Sequence, residues 1–228
     1  MPNLKVALVY TSTTPELIEL VEEEVEHALG SDICVTSYQD PSILSEVRDS
    51  GYVTTAPAAR LVGMFLQAML DGADAILNIC SSVGEVADCV QDMADYMGVP
   101  IVRIDEEMCR EAARQSNKIG VLATLPTTLE PTMNTIKRTA RSINRHPELV
   151  PGLIDGAFGV DQDQFRAMIL EKAEELKGQV DTIVFAQGSM AYCEKYISEK
   201  TGLKVLSSPR FGAEALKSAL VKLGKVKE

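Results

Sequence analysis

Apolar residues along this chain follow two rhythms. Short, nearly continuous apolar runs of the kind buried parallel strands show lie at 4–10, 32–37, 74–79 and 100–104, and again at 118–123, 181–186 and 203–206. Longer segments between them carry apolar residues three and four apart. That alternation predicts an α/β protein built on parallel sheets. Thr14-Pro15 reads as a helix N-cap with proline at the first helical position, and Leu17, Val21, Val25 and Ala28 then share one face. Thr55 to Leu70 is apolar enough to predict a helix packed on both sides. Val86, Val90, Met93 and Met97 form a stripe through 85–97, with Asp88, Asp92 and Asp95 mostly away from it. Cys89 reads as a small core residue there, and Met64, Met69, Met93, Met97 and Met108 as core filler. Further helices are expected near 105–115, 127–143, 161–177, 190–200 and 210–222. Pro147, Pro151 and three glycines make a strand within 148–160 hard to assign.

Two strand-turn segments occur twice. DAILNICSS (74–82) aligns without a gap on DTIVFAQGS (181–189), setting Asp74 on Asp181, Cys80 on Gln187 and Ser82 on Ser189. KVALVYTSTTPE from Lys5 pairs at nearly the same offset with KIGVLATLPTTLE from Lys118, setting Thr11 on Thr124. The repeat predicts two pseudo-symmetric lobes, each a parallel sheet flanked by helices, with a site in the cleft between them. The expected first lobe is 1–115 plus 207–228 and carries Cys80; the second is 116–206 and carries Gln187.

Composition narrows the function. With 33 acidic against 22 basic residues the formal charge is −11, which opposes nucleic-acid binding. MPNLKVALVYTS enters a strand directly, without a signal-peptide layout, and no apolar run approaches the ~20 residues of a membrane span. A cytoplasmic protein is expected. Five cysteines (Cys34, Cys80, Cys89, Cys109, Cys193) with no C-x-x-C pair fit reduced thiols. His27 ends a glutamate-rich helix face and His146 precedes a proline, so neither points to a metal site or a Ser-His-Asp triad. No glycine-rich phosphate loop follows a strand, so the chain is read without metal or cofactor.

The ends of the strands are rich in small hydroxyls, and ligands of parallel α/β sheets bind beyond those ends. Thr11-Ser12-Thr13 and Cys80-Ser81-Ser82 close two strands of the first half. Thr124, Thr127-Thr128 and Gln187-Gly188-Ser189 close two of the second. Each group precedes an expected helix, whose N–H groups and dipole favour an anion, so a small carboxylate is a natural ligand. Any one Ser or Thr there is most simply an N-cap; four groups at matching places favour a shared site. Cys80 reads equally as a buried small residue or as a thiol activated by the helix that follows. Arg103 and Arg210 are the only arginines expected nearby, which weighs against a strongly anchored second carboxylate.

At these residues the chain resembles the aspartate/glutamate/hydantoin racemase superfamily. The carriers are the hydroxyl-bearing turn after the first strand, ADAILNICSS, KIGVLATLPTT, VDTIVFAQGSM and the closing VLSSPRFGAEAL. The resemblance implies a cofactor-independent racemase or isomerase in which one thiolate removes a Cα proton and an opposing thiol supplies one to the other face. Cys80 matches the first family cysteine. Thr11, Ser12, Ser81, Thr124, Thr127 and Thr128 match positions around the substrate carboxylate and the thiols, and Ser82, Gly188 and Ser189 complete the expected substrate contacts. The second family cysteine falls on Gln187, a neutral amide that hydrogen-bonds but neither takes nor gives a proton at neutral pH. A homodimer or higher homo-oligomer is also implied. Three functions follow: a racemase-like enzyme acting beside a carboxylate, a single-thiol isomerase or decarboxylase of a small diacid, or a non-catalytic two-lobed carboxylate sensor.

Overall fold

The computed structural model describes residues 4–227, and the chain divides into two compact units. One runs through Ile104 and resumes at Pro209; the other is Asp105–Ser208.

In the first unit β1 (Leu4–Tyr10) lies between β2 (Ile33–Gln39) and β3 (Ala75–Ile79), and β4 (Ile101–Arg103) pairs with β3. All pairs are parallel, in the order β2-β1-β3-β4. Strand alternation sends Val6, Leu8, Tyr10, Leu77 and Ile79 to one face, where α1 (Pro15–Leu29) packs with Leu17, Val21 and Val25. Ala7, Val9 and Ile76 take the opposite face with Ile43 and Val47 of α2 (Pro41–Ser50) and Leu61 and Phe65 of α3 (Thr55–Leu70). Each such fully buried large side chain is worth about 1.5–3 kcal/mol. Thr14 caps α1 as expected, its hydroxyl accepting from the Leu17 N–H at 3.2 Å. Among the described residues no helix is long and apolar enough to cross a membrane.

Three expectations change here. The short helix α2 was not foreseen. The 85–97 stripe breaks at Val90 into α4 (Gly84–Cys89) and α5 (Gln91–Met97), and it leaves Cys89 exposed and Met97 49% exposed instead of core. Helix α3 buries Pro57, Leu61, Phe65 and Ala68 but leaves Leu70 80% exposed, so it packs on one side only.

The second unit repeats the plan. After α6 (Glu106–Gln115), β5 (Lys118–Ala123) leads into α7 (Pro126–Ser142); β6 (Glu148–Leu153), α8 (Gln162–Leu176), β7 (Thr182–Phe185), α9 (Glu194–Thr201) and β8 (Lys204–Leu206) follow. The sheet order is β6-β5-β7-β8, again all parallel. Strand β6 exists despite Pro151 because it is an edge strand, where a missing N–H is tolerated. The expected lobe boundary put α6 with the first lobe; its main packing is on α7, inside the second unit. Helix α10 (Ser208–Lys222) returns the chain to the first unit, where Leu216 and Leu220 join the α1 face of the sheet.

The repeated aspartates do the same job twice. Asp74 Oδ2 accepts the Lys5 N–H at 2.9 Å, and Asp181 Oδ2 accepts the N–H groups of Asn117 and Lys118, both at 2.9 Å. Each carboxylate thus anchors the start of the central strand of its sheet. Those backbone donors hold Asp181 below its ordinary value. At Asp74 burial pushes upward, but the Lys5 N–H and Lys225 prevail and lower it.

Candidate active site

The first unit gathers its expected site residues at one end of β1 and β3. Ile76 and Cys80 pack on the α3 side of the sheet, so Asn78 between them lies on that face as well. The β1–β3 ladder ends at Tyr10 opposite Ile79; one step further, Thr11 comes beside Cys80. Cys80 is half-buried and outside any disulfide, and it leads into a 3₁₀ turn, Ser81–Val83, that runs on into α4. Ser81 and Ser82 are each 5% exposed and Thr11 is wholly buried, while Ser12 is partly exposed. Thr11 Oγ1 and Asn78 Oδ1 are buried without a hydrogen-bond partner. Asn78 Nδ2 donates to the Cys80 carbonyl at 3.3 Å, which fixes the orientation of its amide.

Behind this turn sits a buried cation. Arg103, at the end of β4 and in register with Asn78, has a side chain 2% exposed and binds Asp88 of α4 at 2.7 Å. Its guanidinium lies so close under Gly84 that a Cβ there would fall 2.4 Å from Nη2. Any side chain there would have to displace the guanidinium, so glycine keeps room for it where the turn becomes a helix. Arg210, the other arginine expected near the site, is exposed on α10 and pairs with Glu214.

In the second unit the end of β5 meets the turn after β7. Thr124 is 4% exposed, and its N–H donates to Gln187 Oε1 at 2.7 Å. Because that N–H can only donate, the amide is oriented, and Gln187 Nε2 donates to Thr124 Oγ1 at 2.9 Å. The repeat thus brings Thr11 beside Cys80 in one unit and Thr124 against Gln187 in the other. Gly188 and Ser189, half-buried, begin a 3₁₀ segment, Gly188–Cys193. Thr128 is buried at the start of α7, and Thr127 Oγ1 is buried without a partner. Cys193 is wholly buried in the core of this unit, and burial pushes its thiol up.

Two polar groups escape a reading of the sequence. Asn78 looks like one more residue of an apolar strand; an amide inside a buried run was the available signal. Arg166 on α8 lies 5.8 Å from the Tyr192 ring and 5.5 Å from that of Tyr196, with Nε buried and unpartnered. It forms no ion pair among the described residues, and nothing local in the sequence marks that long-range placement.

Two four-stranded parallel units, each with a central strand pair ending in a polar turn before a helix, define an α/β protein of doubled architecture. The Asp/Glu/Hydantoin racemase family model matches residues 6–216, and the chain belongs to that family. A glutamate racemase from Bacillus anthracis superposes with a TM-score of 0.73 at 15% identity, over 99% of this chain and 85% of that one. An allantoin racemase from Klebsiella pneumoniae gives 0.70 at 15% identity, over 99% and 90%. An aspartate racemase from Picrophilus torridus gives 0.65 at 14%, over 97% and 94%. At such identities these likenesses concern the fold. No curated protein sequence matches the chain.

Proposed function

We propose that this racemase-family protein is an isomerase-type enzyme that works at the carbon beside the carboxylate of a small acid, with Cys80 as thiolate base or nucleophile. The observation that carries the reading is the strand-end pair: a half-buried thiol beside the buried hydroxyl of Thr11, in a turn that opens a helix. The Cys80 thiolate takes the proton from the carbon beside the carboxylate, and negative charge develops on the carboxylate oxygens. The hydroxyls of Ser81 and Ser82 and the N–H groups of their turn are donors of the kind that stabilise it. As the family resemblance implies, no cofactor takes part.

The bonding of Gln187 favours the single-thiol form of this chemistry. Its amide oxygen already accepts from Thr124, which leaves one face of Nε2 as a donor and no group to exchange a Cα proton. The proton therefore returns from the same thiol. The glutamate, aspartate and allantoin racemases of similar fold extend the reading to a small polar acid or a ring derived from one. A cytosolic homodimer belongs to the same proposal.

Site-resolved alkylation tests it. At neutral pH Cys80 is expected to react with iodoacetamide faster than the exposed Cys34 and Cys89, and small carboxylic acids should slow Cys80 alone. Sluggish alkylation that no acid affects would overturn the enzyme reading and leave a carboxylate-binding protein.

A further inference from the structure

One apolar surface of the first unit is left bare. Of the eight large apolar side chains exposed among the described residues, four gather in one place. They are Leu66 (36% exposed) and Leu70 (80%) of α3, and Tyr96 (93%) and Met97 (49%) of α5. The fold sets these two helix ends side by side. Ala68 and Ala94 share the core cluster on the α3 side of the sheet, and their carbonyls accept from the Ala73 N–H at 3.0 Å and the Val99 N–H at 3.1 Å. From there the chain enters β3 and β4, neighbouring strands that pair from Ile76 with Ile101. Leu66 and Leu70, four residues apart, share the face of α3 that points away from the buried Leu61, Phe65 and Ala68.

Single exposed apolar residues are ordinary, but a contiguous group is not. These four side chains expose on the order of 500 Å², more than soluble monomers usually leave together and over half of the roughly 800 Å² that each partner buries in a standard interface. The apolar density of α3 calls for a neighbour on both sides, and one side has none among the described residues. We infer that a second copy of this chain supplies it: α3 and α5 meet the same helices of a partner across a two-fold axis, so that each patch covers the other. The inference rests on the homodimer proposed above and gives it a surface. None of the four side chains is charged, so two copies of a chain of net charge −11 meet there with little repulsion. Asp92 and Asp95 are exposed beside Tyr96 and set acid against acid at the rim, a cost the apolar centre has to outweigh. The same acids weigh against an anionic lipid surface as the occupant. Gly63 lies two helical turns from Leu70, also at the rim, where a methyl group leaves the contact intact.

The test is the mass of the full chain in solution, by sedimentation across micromolar concentrations. Wild type is expected at twice the 24.7 kDa chain mass. Leu70→Glu and, separately, Tyr96→Glu should each raise the dimer Kd by about a hundredfold or more, because each buries a charge at the centre of the contact. Both positions are exposed in the protomer, so both variants should fold, which circular dichroism checks. Leu223→Glu is the control: Leu223 is exposed just after α10, on the other face of the sheet, and its variant should stay dimeric. A wild-type dimer that Leu70→Glu and Tyr96→Glu leave intact overturns this surface and spares the homodimer. Equal weakening by Leu223→Glu also overturns the surface, and a monomeric wild type overturns surface and homodimer together. Alkylation of Cys80 on the same samples tests the enzyme reading independently of all three.

Discussion

Gly84→Ala puts a single methyl group against the most crowded point of the candidate site. An added Cβ would meet Arg103 Nη2 at 2.4 Å, Cζ at 2.5 Å and Nε at 2.7 Å. Ordinary carbon contacts are about 3.5–4.0 Å, so the guanidinium must move by roughly an ångström. Arg103 has nowhere exposed to go, and moving it breaks the 2.7 Å bond to Asp88. Breaking a buried ion pair costs about 3–5 kcal/mol. Asp88 is 31% exposed and regains water, which lowers the loss to about 2–4 kcal/mol. Alanine returns about 1 kcal/mol of helix propensity. The net expectation is a destabilisation of about 1–3 kcal/mol.

Gly63→Ala is the matched control, since nothing lies within 4 Å of a Cβ at that position in α3. There the propensity gain acts alone, and the variant should be more stable by about 0.5–1 kcal/mol. Urea unfolding followed by circular dichroism suits a chain without tryptophan. A Gly84→Ala protein as stable as Gly63→Ala would refute the packing of Arg103 beneath the Cys80 turn.

Two predictions concern pH. Asp181 lies below its ordinary value of 3.8 because backbone N–H groups bind its carboxylate. A lowered folded value gives stability that is present above 3.8 and lost as pH falls through the lowered value. Urea midpoints of wild type should therefore fall toward those of Asp181→Asn as the solution is acidified; a constant difference would contradict this. Burial, and then the hydroxyl bond to Asp71, push Tyr38 up to about 12. Its contribution is present below the ordinary value of 10 and lost as pH rises from there through about 12. Phenolate absorbance should lose a late-titrating component in Tyr38→Phe, and loss of a component that titrates near 10 instead would count against this.

Strand rhythm and repeat made the doubled parallel architecture readable, because buried strands and their anchoring aspartates leave local marks. Asp74 and Asp181 aligned in sequence and prove to hold the same backbone position in each sheet. Helix α2 was missed because its buried set is only Ile43, Leu44 and Val47, too few for a clear period. The break at Val90 was missed for a different reason: the apolar spacing continues across it, while α4 and α5 bury Ala87 and Ala94 instead of the larger residues of the stripe. At the site, the hydroxyl-rich turns and Cys80 were visible as residues. Their pairings were not, since Thr124–Gln187 and Arg103–Asp88 join residues 63 and 15 positions apart. Gln187 is the instructive case. Its identity told what chemistry it lacks, and only the bond to Thr124 shows that its oxygen is already committed.

The central claim is that one thiol, Cys80, acts beside the carboxylate without a second thiol at position 187. The direct measurement is exchange in deuterated water, following Cα deuterium by NMR and configuration by optical rotation on a panel of small chiral carboxylic acids. The account predicts Cα exchange that Cys80→Ala abolishes, with configuration largely retained. Loss of rotation at the rate of deuterium incorporation would contradict the single-thiol account, and exchange that survives Cys80→Ala would contradict the role of Cys80 itself.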